Sequence, residues 1–158
     1  MTSLPIRQAH TAADIAHIRT LFEEYAAWLA VDLCFQGFDE ELASLPGAYA
    51  PPRGRLYMAG PSDAPHGCIA LRPLDAAAAV GEVKRLYVRP AARGRRLGES
   101  LVRRLMEDAR AIGYRELKLD TLEWMSDARK LYERLGFAQC SPYYHNPLPG
   151  AVYMSRVL

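Results

Sequence analysis

VGEVKRLYVRPAARGRRLGESLVRRL, residues 80–105, decides how the chain is read. Its opening nine residues carry Val83, Leu86, Tyr87 and Val88, a strong strand signal, and Pro90 ends the strand because proline has no N–H to give a sheet. The period then changes. Leu97, Leu101, Val102 and Leu105, continued by Ala109 and Ile112, recur at helical spacing and predict a helix over 95–112 that stops at Gly113. On its other face Glu99, Arg103 and Glu107 stand four apart, where opposite charges support each other. Between strand and helix lies Arg93-Gly94-Arg95-Arg96-Leu97-Gly98. A helix start presents unpaired N–H groups and the positive end of the dipole, which attract phosphate. Gly94 and Gly98 let a ligand approach the backbone where a Cβ would intrude, and arginine grips phosphate oxygens in a fork. This is a phosphate cradle by its chemistry, with solvent-facing arginines as the plain alternative. Neither GxxxxGK[ST] nor GxGxxG occurs, so the P-loop and the dinucleotide fingerprint are excluded.

Outward from this unit, LPIRQA (4–9) reads as a short strand and 11–33 as a helix with Ile15, Ile18, Phe22, Tyr25 and Leu29 on one stripe. Thr11 followed by Asp14 forms a capping box that sets its start. A second, shorter helix is expected at 38–45, a Pro/Gly loop at 46–55, and strands at 55–59 and 67–74. On the other side come a strand at 115–122, a helix at 126–136, and a terminal antiparallel pair at 137–144 and 151–158. With no repeat and no linker, residues 1–158 read as one mixed α/β, or α+β, domain around a single sheet.

Bulk properties narrow the classes. Twenty basic residues against 18 acidic leave a net charge of +2, and no platform of stacking aromatics stands out, which disfavours a nucleic-acid partner. The three cysteines are far apart, and the four histidines lie at no metal-ligand spacing, so free thiols and no metal are expected. The N-terminus lacks a basic-then-apolar signal and no run approaches the ~20 apolar residues of a membrane span. A soluble, cytoplasmic protein with no membrane contact is the expectation.

The 83–105 stretch, followed by DARKLYERLGF, resembles the GNAT superfamily of N-acetyltransferases, in small single-domain form. A strand of Leu-x-Val-x-Pro type runs into the Arg-x-x-Gly-x-Gly/Ala-like turn at 93–98, and a later A-x-x-L-Y-x-x-x-G-F pattern is matched by Ala128, Leu131, Tyr132, Gly136 and Phe137. The element order agrees over essentially the whole chain. The turn departs from the family at Arg96, where its first glycine is usual, so a backbone conformation that only glycine tolerates is not expected there. Another departure is Met125, where an asparagine is often found.

The resemblance implies a twisted, mostly antiparallel sheet of about seven strands with a splayed pair, flanked by about four helices. It implies acetyl-coenzyme A as co-substrate, with its pyrophosphate on Arg93, Gly94, Arg95, Arg96, Leu97, Gly98 and Glu99. The pantetheine arm would lie along Leu86, Tyr87 and Val88, with Ala128 nearby. Asp120 and Thr121 either line the splay or cap a turn. The acceptor implied is an amine of a small molecule or peptide, and a homodimer is compatible with the resemblance. Glu82 stands where several members carry a glutamate base, and strict alternation puts it on one face with Lys84, Leu86 and Val88; a surface ion pair is its alternative. Tyr132 matches the general acid near the thioester sulfur, against a plain buried aromatic. Phe22, Tyr25, Tyr144 and His145 are the candidates for acceptor binding, and His145 competes with Glu82 as base. A catalytic enzyme and a non-catalytic acyl-CoA sensor on the same fold both remain open.

Overall fold

The computed structural model describes residues 5–158, so Leu4, at the start of the expected first strand, lies outside the described residues. Among the described residues seven strands form one sheet: β1 (Ile6–Gln8), β2 (Arg55–Ala59), β3 (Gly67–Asp75), β4 (Val80–Val88), β5 (Glu116–Leu122), β6 (Ala138–Gln139) and β7 (Ala151–Val157). Their spatial order is β1-β2-β3-β4-β5-β7-β6. Every neighbouring pair is antiparallel except β4–β5, which is parallel and joined only from Val80↔Glu116 to Glu82↔Lys118. Beyond those three pairs β4 stays on β3 and β5 stays on β7, and the sheet opens between them.

Four helices cover the sheet: α1 (Ala12–Leu29), α2 (Phe38–Ser44), α3 (Leu97–Ile112) and α4 (Ser126–Arg134). Alternation along the strands sorts the core into two layers. Tyr57, Ile69, Leu71, Val83, Leu117 and Leu119 pack with Leu101, Leu105 and Ala109 of α3. Leu56, Met58, Cys68 and Ala70 pack with Ile18, Leu21 and Phe22 of α1 and Phe38 of α2. The capping box forms as expected: the Asp14 N–H donates to Thr11 Oγ1 at 3.1 Å, and the Thr11 N–H donates to Asp14 Oδ2 at 3.2 Å. Arg7 adds a bond to Asp14 Oδ2 at 3.0 Å, and these partners hold the carboxyl well below its ordinary pKa.

Most element ends differ from the sequence reading by one or two residues, and three differences are larger in effect. The first helix stops at Leu29 because Ala30 takes a left-handed conformation (φ 55°), and its N–H caps the Ala26 and Ala27 carbonyls. The expected strand at 137–144 shrinks to β6, since the chain leaves the sheet after the Cys140 N–H bonds the Tyr153 carbonyl and Pro142 has no donor. The third difference is inside β4. Cys68 pairs with Tyr87 while Ala70 pairs with Lys84, so Ile69 faces two residues, Arg85 and Leu86. This is a β-bulge, with Arg85 at φ 61°. It reverses the alternation: Glu82, Lys84 and Tyr87 share one face, whereas Leu86 and Val88 pack into the α3 layer. The expectation that Glu82 shares a face with Leu86 and Val88 is therefore corrected.

No helix among the described residues is long and apolar enough to cross a membrane.

Candidate active site

Two spaces meet at the opening of the sheet. The outer one is a cleft of about 400 Å3 running from the β4 end to the first turn of α3, closed on its far side by Met125, Ala128, Leu131 and Arg134. The inner one is a chamber of about 50 Å3 beneath the α1–α2 connection, lined by Tyr25, Gln36, Lys84, Arg85, Asp120, Tyr132 and Asn146, among others. Leu86, Met125 and Ala128 line both, so the two spaces adjoin there.

The outer cleft is built by the turn before α3. Gly94 has φ 85° and Arg96 has φ 58°, ψ 28°, so the turn uses left-handed backbone twice. Arg96 thus takes a conformation that glycine adopts most easily, though other residues reach it at a cost of about 1–2 kcal/mol. Its carbonyl accepts the first intrahelical bond, from the Ser100 N–H at 3.1 Å, which leaves the N–H groups of Leu97, Gly98 and Glu99 outside the helix's own bonding. A Cβ on Gly98 would stand 3.3 Å from Leu131 Cδ2, so the glycine permits close approach of α4 and keeps the cleft open. Arg93 lies over the Trp28 ring, 5.1 Å from its centroid, and its Nε donates to the Val88 carbonyl at 3.1 Å. Glu99 stands 3.7 Å from both Arg103 and Arg134. A concave site of this volume, with three N–H donors of a helix start and three lining arginines, Arg93, Arg96 and Arg134, fits a pyrophosphate with a linear arm. From Val83 onward β4 has no strand partner on its β5 side, so that edge can pair with an extended ligand.

Of the residues singled out for the cofactor, Leu86, Tyr87, Val88, Arg93, Gly94, Arg96, Leu97, Gly98, Glu99 and Ala128 line the outer cleft. Arg95 does not; it is exposed, between the two left-handed residues. Trp28, Asp127 and Arg134 line the cleft without having been singled out. They come from α1 and α4, and no local motif marks them.

Tyr132 lines the inner chamber, its ring edge-on to Phe137 at 5.6 Å. Burial pushes its hydroxyl well above the ordinary tyrosine pKa, with Tyr25 and Asp120 acting in the same direction, so it stays protonated. Tyr25 also lines the chamber, its hydroxyl pushed up to about 12 by burial. Asp120 is the single carboxylate on the lining. Its Oδ2 accepts a short bond from the Tyr144 hydroxyl and one of 2.9 Å from Asn146 Nδ2. Gln36 ties this wall together, donating to the Tyr144 hydroxyl and accepting from Lys84 Nζ, both at 3.0 Å. Tyr144 therefore shapes the chamber wall from behind.

Three expected site residues lie elsewhere. Glu82 lines neither space; it is 1 % exposed and held by Arg72 Nε at 2.8 Å and the Tyr143 hydroxyl at 2.6 Å. Phe22 is wholly buried, edge-on to Tyr49 at 6.1 Å, and belongs to the core. His145 is exposed on the outer side of the 142–146 segment. What brought Tyr144 inward and left His145 outside is the path of the chain after Cys140, which no local pattern encodes.

The chain matches the family model of the GNAT acetyltransferases over residues 18–137. An uncharacterized N-acetyltransferase of Schizosaccharomyces pombe is 37% identical over 154 residues, covering 97% of this chain and 94% of that one. A protein of Azospirillum brasilense named IAA acetyltransferase is 36% identical over 110 residues, 69% of this chain and 71% of its own. The crystal structure of an acetyltransferase from Streptococcus agalactiae superposes with a TM-score of 0.81 at 22% identity, over 100% of both chains. Motif turn, splayed sheet and relatives agree, and the chain belongs to the GNAT family of acetyltransferases.

Proposed function

We propose that this chain transfers an acetyl group from acetyl-CoA directly to a primary amine of a small molecule or peptide. The observation that carries the reading is the junction of the two spaces at Leu86, Met125 and Ala128, with Tyr132 and Asp120 both facing the inner one. When bound, acetyl-CoA supplies an activated thioester. The N–H groups of Leu97, Gly98 and Glu99, with Arg93 and Arg96, hold the pyrophosphate. The β4 edge at Leu86 and Val88, which has no strand partner on the β5 side, holds the pantetheine amides as a substitute strand, with the Val88 carbonyl already taken by Arg93.

Two proton movements are required. An amine of pKa near ~10 is almost wholly protonated at neutral pH and must lose a proton before it attacks. Asp120 receives it on Oδ1, the oxygen not used by Tyr144 or Asn146. The second movement runs from the acetylated nitrogen, which must lose another proton to become an amide, through Tyr132 to the sulfur: the hydroxyl gives its proton to the departing thiolate and takes the nitrogen's, and burial keeps the hydroxyl protonated beforehand. Glu82 serves this arrangement at one remove, anchoring Tyr143, whose ring stacks on Tyr144 at 5.3 Å. Cys68 is buried with its thiol pushed upward in pKa, which favours direct attack over an acetyl-cysteine route.

The test is continuous detection of free CoA thiol with acetyl-CoA and a panel of amines. Turnover above the enzyme-free rate with at least one amine is the expected result. Tight acetyl-CoA binding without thiol release from any of them would leave only a sensor.

A further inference from the structure

Three charged side chains line the inner chamber, and two of them are already satisfied. Arg85 is paired with Glu41 through two bonds of 3.0 Å. Asp120 accepts from Tyr144 and Asn146. Lys84 differs. Its side chain is 4 % exposed, and of its three N–H donors one is spent, on Gln36 Oε1 at 3.0 Å. The nearest carboxylate oxygen, Asp120 Oδ1, is 4.0 Å away, beyond hydrogen-bond reach. A buried ammonium with two donors unspent, facing a cavity, is a group built to receive an acceptor. Burial lowers its pKa to about 8 despite Glu82 and Asp120, with Arg85 and Arg72 acting against it, so the local field leaves its charge under-compensated.

We propose that Lys84 anchors a carboxylate of the acceptor, so that the substrates of this chain are amino acids or closely similar amines bearing an acid group. The proposal rests on the reading of the chamber as the acceptor site. A cationic amine with no anion would meet Lys84 unfavourably, whereas a carboxylate uses both free donors in charge-assisted bonds. The chamber's accessible space of about 50 Å3, room for roughly three or four water-sized groups, accommodates a carboxylate and its first carbons beside Lys84. Asp120, on the same wall, is left free to take the amine proton.

The experiment compares kcat/KM for CoA release with proteinogenic amino acids, their carboxamides and their decarboxylated amines. In the wild type at least one acid should exceed its own amide and amine by about tenfold or more. Lys84→Met, similar in length and uncharged, should lose about ten- to a hundredfold on that acid, bring acid and amide level, and leave the Kd for CoA unchanged. If no acid outperforms its amide, or if Lys84→Met keeps the preference, the proposal is overturned. The wild-type panel decides even if the variant does not fold. Should carboxylate-free amines be the better acceptors, acetyl transfer stands and only this proposal falls; should no amine release CoA, both fall.

Discussion

Replacing Gly98 by valine tests the cradle most directly. Gly98 sits in the first turn of α3 on the wall of the outer cleft, and an added Cβ alone would come within 3.3 Å of Leu131 Cδ2. Valine adds two further methyl groups, so either α4 yields or the methyls occupy the cleft. Overpacking of this kind costs about 1–3 kcal/mol, offset by a few tenths because valine suits a helix better than glycine. The unliganded variant should therefore fold, with a somewhat lower Tm. Ligand binding separates the two effects. At acetyl-CoA one hundred times Kd, binding to the native state adds about 2.7 kcal/mol. For a chain of 158 residues each kcal/mol moves Tm by about 2–4 °C, so the wild type should gain about 5–11 °C. A hundredfold weaker variant at the same concentration gains about 0.4 kcal/mol, or roughly 1 °C. Differential scanning calorimetry with and without acetyl-CoA reads both shifts, and Gly98→Ala should fall between them. A valine variant that keeps the full wild-type shift would refute the assignment of this turn to the pyrophosphate.

Three further outcomes are expected. Tyr132→Phe should bind acetyl-CoA with unchanged Kd and lose about a hundredfold or more in kcat; an unchanged kcat from pH 6 to 9 would remove it as the acid. Arg96→Gly relieves about 1–2 kcal/mol of left-handed strain but adds about 0.5–1 kcal/mol of unfolded-state freedom, so Tm should hold or rise by up to about 6 °C while acetyl-CoA binding weakens. A Tm lowered by more than a few degrees would show that the side chain does structural work the strain argument omits. Asp14→Asn should cost about 1–2 kcal/mol at pH 7, since it removes the charge that Arg7 and the helix start favour. Because the folded pKa of Asp14 lies below its unfolded value near ~3.9, this stabilisation is complete above that value and disappears as pH falls toward the folded pKa. The difference between the two proteins in denaturant melts should therefore narrow steadily as pH falls below about 4, and a difference that does not shrink between pH 5 and pH 2 would contradict the linkage.

The outer cleft was legible in the sequence because its parts are local. A strand, a glycine-bearing turn and an amphipathic helix follow one another within residues 80–112, and local backbone geometry places their N–H groups without help from the rest of the chain. Tyr132 was singled out through the A-x-x-L-Y pattern of the resembled family, since helical period alone reads it as a buried aromatic. Glu82 shows where this reasoning stops. Alternation along β4 carries information only while the strand is regular, and the bulge at Arg85 shifts every later residue to the other face. Phe22 illustrates a second limit, since an aromatic on a helical stripe reads the same whether the stripe meets a cavity or a packed core.

By itself, the amino-acid sequence determined the order of elements, the helix cap at Thr11 and Asp14, the glycine-bearing turn before α3 and the family to which the chain belongs. Tertiary structure alone decided the inner chamber. Lys84 comes from β4, Asp120 from β5, Gln36 from the α1–α2 connection, and Tyr144 and Asn146 from the segment after β6. Gln36 and Tyr144 are 108 residues apart, yet their side chains meet at 3.0 Å. No period or propensity couples such positions; their meeting follows from the opening of the sheet between β4 and β5, which leaves buried polar groups to satisfy one another across the gap.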